Sequence, residues 1–298
     1  MTNKPAIGFI GLGLMGSAMV ERLQSLGYTM TVMANKSRAN VEAAVARGAS
    51  EAKTARELAE ASDIVMMCMD TSASVEARMN GPDGVIRGLR EGALVIDFGT
   101  SLPGSTLQLG EAVSAAGGRY MDAPLGRTPA HAVDGKLNIM AAGAEADFAE
   151  VEPVLRDVGE NVFHVGPLGS GHTLKLINNF FAMTTACAMS EAFAMADQAG
   201  LSRQTVYDVM SAGPLKSGMM DFIKANAIEG RPDDLAFSIA NASKDVGYYA
   251  SMADGLGVPS LMSGAAKGAL GIAKASGRGD DYVPQMVDFF ADLFGRTT

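Results

Sequence analysis

The sequence predicts an α/β domain with a doubly wound, mostly parallel sheet, joined by a long interdomain helix to an all-α domain. Three observations carry that expectation. Short apolar runs alternate with helical patterns through the first half, which is how strands buried on both faces and their crossover helices read. From His172 onward the β-patterning stops and only helical periodicity remains. Where the two regimes meet, residues 174–200 form a proline-free, mostly apolar helical pattern. At about 25 residues it exceeds the common globular helix, as an element bridging two domains would. The domains expected from this are residues 1–165 and 166–298.

Residues 6–10 read as the first buried strand. Gly11-Leu12-Gly13-Leu14-Met15-Gly16 follows at once and leads into a helical pattern over 17–25. Strand, Gly-x-Gly-x-x-Gly and helix, in that order, are the dinucleotide-binding arrangement of a Rossmann domain. The first glycine permits the tight turn and the second lets the backbone approach a pyrophosphate. The third allows close helix–strand packing, and the helix N-terminus faces the phosphates.

The second strand, residues 30–34, ends where such folds sort their cofactors. NAD sites usually carry Asp or Glu there for the ribose 2′-hydroxyl, whereas NADP sites exclude that charge and supply a cation. Here the chain reads Asn35-Lys36-Ser37-Arg38, with no carboxylate before Glu42. NADP(H) is therefore the expected cofactor, with NAD(H) as the alternative.

Helical patterns at 40–47, 55–61, 74–79 and 105–116 alternate with strands at 49–51, 64–69, 94–97 and a strand ending at Asp122. Ligands of open α/β sheets lie beyond the C-terminal ends of the strands. The turns Met69-Asp70-Thr71 and Gly99-Thr100-Ser101 are thus candidate cofactor contacts. The next loop, Asp122-Ala123-Pro124-Leu125-Gly126-Arg127-Thr128-Pro129, has an irregular backbone fixed by two prolines and a glycine. An arginine beside a hydroxyl suits a planar or tetrahedral oxyanion. Strand-like segments at 136–142 and 162–165 complete the first half.

A glycine-rich turn from Gly166 runs into the long helix, which carries Lys175 with Asn178 and Asn179. Positions 175 and 179 share a helix face, and a lysine on an otherwise apolar face is suited to proton transfer. Further helices are expected at 202–211, 218–227, 238–256, 260–276 and 282–294, the third of them carrying Lys244-Asp245.

Composition narrows the functional classes. With 298 residues, 48% hydrophobic and 19% charged, the chain has the profile of a folded globular protein rather than a disordered one. A net charge of −9 and the absence of a basic stripe argue against nucleic acid as a partner. No run approaches a membrane span and the N-terminus has no secretion signal, so a cytoplasmic protein is expected. The 20 scattered methionines read as adaptable core filler. Cys68 and Cys187 are too few for a disulfide framework or metal site. His131, His164 and His172 have no ligand spacing, and hydrolase motifs are missing.

Taken together, four motifs resemble the β-hydroxyacid dehydrogenase family over essentially the whole chain. They are Gly11 to Gly16, Asp122-Ala123-Pro124, the stretch from Gly166 through Lys175 to Asn179, and Lys244-Asp245. The resemblance implies that Lys175 is the catalytic lysine, Asn179 a substrate-site amide and Lys244 a neighbour of the nicotinamide. It also implies a small anionic aldehyde or hydroxy acid as substrate, and a homodimer or homotetramer. Two departures from the family pattern bear on specificity. The family loop reads Asp-x-Pro-Val-Ser-Gly-Gly, whereas Gly126-Arg127-Thr128 resembles the sulfolactaldehyde reductase branch. That likeness implies a sulfonate held by Arg127, Thr128, Asn178 and Asn179. In contrast, Asn35-Lys36-Ser37 resembles NADPH-using glyoxylate and succinic semialdehyde reductases. Tartronate semialdehyde is a further candidate substrate, an imine reductase a rival within the fold, and a non-catalytic cofactor-binding interaction module the rival from another class.

Overall fold

The structure of the protein, a computed structural model, describes residues 4–34 and 38–295. The chain divides into two compact units, Met1–Lys175 and Leu176–Thr298.

The first unit alternates strand and helix as the apolar runs require. In chain order these are β1 (Ile7–Ile10), α1 (Leu14–Ser25), β2 (Met30–Met33), α2 (Arg38–Ala46), β3 (Ser50–Ala52) and α3 (Ala55–Glu60). Next come β4 (Ile64–Met67), α4 (Ser72–Met79), β5 (Leu94–Asp97), α5 (Pro103–Ala115) and β6 (Arg119–Asp122). The six strands form one all-parallel sheet in the order β3-β2-β1-β4-β5-β6. Strands β1, β4 and β5 are buried along their full length, as a sheet covered by helices on both faces demands. The strand order reverses between β1 and β4, the switch point at which such folds bind ligands. Thr54 and Thr71 cap α3 and α4 with their side-chain oxygens, each cap contributing about 1 kcal/mol. Met19, Met66, Met67, Met79 and Met121 are all fully buried here.

Beyond Asp122 the backbone is more regular than its prolines and glycine suggest. β7 (Leu125–Gly126) pairs antiparallel with β8 (Leu137–Ala141) across α6 (Pro129–Val133), and β8 pairs in parallel with β9 (Gly159–His164). The resulting three-stranded sheet is separate from the first. Helix α7 (Glu145–Val158) lies outside the expected helices; it buries Val151, Val154, Leu155 and Val158 and carries Pro153 inside it on the exposed side. Helix α8 (Ser170–Gln198) is 29 residues long, begins in the first unit and ends in the second.

The second unit is all-α, with α9 (Arg203–Ser211), α10 (Gly218–Glu229), α11 (Ile239–Gly255), α12 (Leu261–Ala273) and α13 (Met286–Leu293). Serines 202, 217 and 238 cap α9, α10 and α11. Its own core gathers Phe193, Ile223, Ile239, Val246, Leu270 and Met286. Phe180 of α8 stacks on Tyr249 of α11, with ring centroids 4.1 Å apart. Helix α12 stops short of the expected 260–276, because a wider turn at Lys274–Arg278 carries Gly277 at φ 87°. Among the described residues no helix is long and apolar enough to cross a membrane.

Candidate active site

The three glycines after β1 occupy three different environments. Gly11 has φ 98°, and a Cβ there would lie 2.2 Å from the Cys68 carbonyl oxygen beyond β4. A Cβ on Gly16 would lie 2.0 Å from the Gly11 carbonyl oxygen. Around Gly13, by contrast, nothing lies within 4 Å of such an atom. Two glycines are thus required by the fold and the third leaves a bare backbone surface at the start of α1. That is the cradle a dinucleotide pyrophosphate fits. Within the motif Leu12 and Gly16 are buried, Leu14 is 67% exposed and Met15 is half-buried. Asn40 of α2 donates to the Leu12 carbonyl at 2.6 Å and braces the loop.

Asn35, Lys36 and Ser37, the residues that carry the cofactor expectation, lie outside the described residues. Arg38 is described, and its guanidinium is paired with the Glu51 carboxylate and lies 3.5 Å from Glu42. Glu51 comes from β3, where it is the register partner of Val32. Sequence order hid this carboxylate, because parallel pairing brings it beside the β2 end. Past β4, Met69 and Asp70 enter α4 through Thr71, the α4 cap. Thr100 lies between Gly99 and Ser101, both of which donate to Asp97.

In the first unit the structure brings Lys175 onto the loop that follows β6. Its Nζ donates to the Leu125 carbonyl at 2.7 Å. Gly126 is tied in β7 to Asn138. Arg127 is the one non-glycine residue with positive φ, 76°, among those described. A positive φ favours glycine, the residue that stands there in the loop pattern compared above. Its Nη1 is paired with Glu160 and donates to the Lys136 carbonyl at 2.7 Å. Thr128 stands at the N-cap position of α6 without a side-chain cap bond, and its Oγ1 shares a 2.7 Å hydrogen bond with His131 Nδ1. Of the four expected anion ligands, the two on this loop, Arg127 and Thr128, therefore have internal partners, Glu160 and His131, which sequence spacing did not reveal.

In the second unit Asn179 donates from Nδ2 to Asp245 Oδ2 at 2.7 Å, both side chains being buried. Because a carboxylate only accepts, this bond fixes the amide orientation and turns Asn179 Oδ1 away from Asp245. That oxygen accepts from Asn178 Nδ2 at 3.2 Å. Lys244 Nζ lies 3.0 Å from Asp245 Oδ1 in an ion pair whose angle is not that of a hydrogen bond. Asp245 thus links Asn179 to Lys244, a role suggested in the sequence only by its place next to Lys244. Among the described residues no group of His, Cys, Asp and Glu could hold a metal ion.

Burial also shapes the acids below the lysine. Asp122 is fully buried, and desolvation raises its carboxyl above the ordinary value, against the pull of His172 and of three amide N–H groups, those of Gly169, His172 and Asp122 itself. The Tyr120 hydroxyl, buried and without a partner, is pushed far up by burial and by the charges of Asp97 and Asp122.

Comparison with known proteins agrees with this geometry. A family model described as the NAD binding domain of 6-phosphogluconate dehydrogenase matches residues 6–166. Another, described as NAD-binding of NADP-dependent 3-hydroxyisobutyrate dehydrogenase, matches residues 169–290. The chain is 30% identical to 2-(hydroxymethyl)glutarate dehydrogenase of Eubacterium barkeri over 99% of its own length and 98% of that protein. It is 29% identical to the human cytokine-like nuclear factor N-PAC over 92% of its length, and spans 49% of that longer protein. Among solved structures, 3-hydroxyisobutyrate dehydrogenase from Salmonella typhimurium superposes with a TM-score of 0.83 at 26% identity, covering 95% of this chain and 99% of that one. Fold, glycine cradle and relatives define an NAD(P)-dependent oxidoreductase acting on CH–OH donors. The chain belongs to the β-hydroxyacid dehydrogenase family.

Proposed function

We propose that the protein interconverts a small anionic semialdehyde and its hydroxy acid with NADP(H), a sulfolactaldehyde-type sulfonate being the leading substrate. The observation that carries this reading is the 2.7 Å bond from Lys175 to Leu125 O, which ties the ammonium to the loop holding Gly126, Arg127 and Thr128. The residues that would hold the cofactor are Gly11 to Gly16, Asn35 to Arg38, Met69, Asp70, Thr100 and Lys244. When bound, the nicotinamide supplies or accepts the hydride.

Lys175 gives a proton to the carbonyl oxygen during reduction and takes one from the alcohol in the reverse direction. Asn179, one helical turn on, orients the lysine or the substrate. Gly126, Arg127, Thr128 and Asn178 hold the anion. Glu160 and the Lys136 carbonyl engage Nη1 of Arg127, and Nε and Nη2 serve the substrate. Glyoxylate, succinic semialdehyde and tartronate semialdehyde are the carboxylate alternatives. A homodimer or homotetramer in the cytoplasm completes the reading.

Two experiments test it. Mixing the protein with NADPH and a panel of these aldehydes, while following absorbance, ranks the substrates. Lys175→Met should lower kcat by about 10²–10⁴-fold while leaving NADPH affinity close to unchanged; retained turnover would refute the assignment. A second reading, a cofactor-binding module without turnover, draws on the likeness to N-PAC. It gains if the wild type binds NADPH and reduces none of the panel.

A further inference from the structure

The ends of β5 and β6 and the opening turn of α8 hold a polar cluster that the proposed chemistry does not use. Asp97 ends β5, Asp122 ends β6, and the two are register partners on neighbouring strands. Both side chains are essentially sealed from solvent, at 1% and 0% exposure. Asp97 accepts from the Gly99 amide at 2.8 Å and the Ser101 hydroxyl at 2.9 Å. Asp122 accepts from the Gly169 and His172 amides, each at 2.7 Å, and these are backbone groups at the opening turn of α8. The His172 ring, also at 0% exposure, lies between the carboxylates. Its Nε2 is 3.7 Å from Asp97 Oδ2 and its Nδ1 is 3.8 Å from Asp122 Oδ2.

Among the described residues His172 is the only basic side chain within 4 Å of either carboxylate. Its Nδ1 shares a 2.7 Å hydrogen bond with Thr106 Oγ1 on α5, whereas Nε2 is buried without a hydrogen-bond partner. A bare Nε2 lone pair facing a buried carboxylate would be repelled in so low a dielectric, whereas an N–H there is attracted. Nδ1 faces Asp122 in the same way, but the Thr106 hydroxyl, 2.7 Å from Nδ1 and 3.2 Å from the Leu102 carbonyl, can donate to it, whereas nothing donates to Nε2, so the tautomer is set by Asp97. Lys175 follows His172 by three residues, on the same face of α8.

We propose that His172, with its Nε2 proton directed at Asp97, is a positioning residue that locks the first turn of α8 between Asp97, Asp122 and Thr106 and so sets where Lys175 leaves the helix. This rests on the reading of Lys175 as the proton donor.

The test pairs an isosteric loss with a conservative rescue. In His172→Leu the N–H is gone, and kcat should fall about tenfold to a hundredfold, the scale of a small misplacement of a reacting group. KM for the cofactor should change by less than about twofold, because the glycine cradle is untouched. In His172→Gln the side-chain amide can again present an N–H toward Asp97, and most of kcat should return. A leucine variant with wild-type kcat, or a glutamine variant no better than leucine, overturns the proposal.

A second readout does not depend on turnover or on the leucine variant folding. In ¹⁵N-histidine-labelled protein, long-range ¹⁵N–¹H spectra should show one imidazole with a protonated Nε2, absent from His172→Gln. In Asp97→Asn the amide N–H would face Nε2, and the proton should move to Nδ1. A bare Nε2 in the wild type overturns the proposal even if Lys175→Met is inactive. If Lys175→Met stays active while the Nε2 signature and the leucine–glutamine contrast hold, the reading of Lys175 fails and the locking of the turn stands.

Discussion

The contrast between Gly13 and Gly16 gives a sharp test, because the same substitution should act on different properties at positions three residues apart. Alanine at Gly16 must place its methyl 2.0 Å from the Gly11 carbonyl oxygen and 2.9 Å from Phe9 Cε1. Overpacking of this kind costs about 1–3 kcal/mol, and contact with fixed backbone places it at the upper end. Alanine also gains about 1 kcal/mol over glycine within a helix. The net is a loss of about 2 kcal/mol, which lowers Tm by roughly 4–8 °C in a protein of this size. Alanine at Gly13 meets nothing within 4 Å, so Tm should move by no more than about 2 °C, the reduced freedom of the unfolded chain offsetting the weaker cap. Its methyl would instead stand on the surface read as the pyrophosphate cradle. Losing one hydrogen bond to a charged group costs about 1.5–3 kcal/mol, equivalent to a roughly 10- to 140-fold rise in Kd. Thermal unfolding by circular dichroism and titration of NADPH fluorescence separate the two effects. Unchanged NADPH affinity in Gly13→Ala, or a fall in Tm matching that of Gly16→Ala, would show that the cradle has been wrongly placed.

The remaining predictions concern buried charge. Asp245→Leu leaves both Asn179 Nδ2 and Lys244 without this carboxylate, and breaking a buried pair costs about 3–5 kcal/mol. Denaturant unfolding checks this, and a loss below about 1 kcal/mol would mean that Asp245 is not the anchor. Because burial raises the Asp122 carboxyl in the folded state, the native protein binds more protons than the unfolded chain between the ordinary and the raised value. This contribution is fully present at low pH and lost as pH rises through the raised value. The stability advantage of the wild type over Asp122→Asn should therefore shrink from about pH 4 upward in stepwise urea titrations; an advantage that grows with pH contradicts the sign. Burial pushes the thiols of Cys68 and Cys187 each up to about 12, with Asp97 and Glu191 as the respective charged neighbours. A thiol reagent at pH 8 should label the buried Cys187 only after denaturation and the half-buried Cys68 only slowly in the native protein. Rapid native labelling of either would refute this placement.

What sequence made legible was local. Gly16 packs within its own strand, turn and helix, against Gly11 and Phe9, so the spacing of the glycines announces a tight strand–helix turn, although Gly11 also packs on the Cys68 carbonyl beyond β4. The apolar runs of β1, β4 and β5 announced themselves because a parallel sheet buries both faces. The partners of the site residues were hidden by distance along the chain. Glu160 meets Arg127 from 33 residues away, Asp122 meets the His172 amide from 50, and Asp245 meets Asn179 from 66. Each of these pairs depends on strand register or helix packing, which no spacing rule encodes. His172 was set aside for lack of ligand-type spacing, and its partners Asp97 and Asp122 converge only because β5 and β6 end level. Helix α7 was missed for a different reason, since Pro153 lies inside it.

The capping of α8 by Asp122 has an electrostatic consequence. Helices α1 and α8 are both entered through glycine-rich turns, α1 after Gly13 and α8 after Gly169. Each offers the positive end of a macrodipole, equivalent to roughly half an elementary charge. At α8 that end is neutralised from within, because Asp122 takes the Gly169 and His172 amides. At α1 the first turn holds no acidic residue and the cap has no side-chain bond. In a protein of net charge −9, a buried acid closes one anion-attracting terminus and leaves the other to act on solution. On the proposed placement of the cofactor at α1, selectivity for a phosphate is thus written partly in a carboxylate that does not touch it.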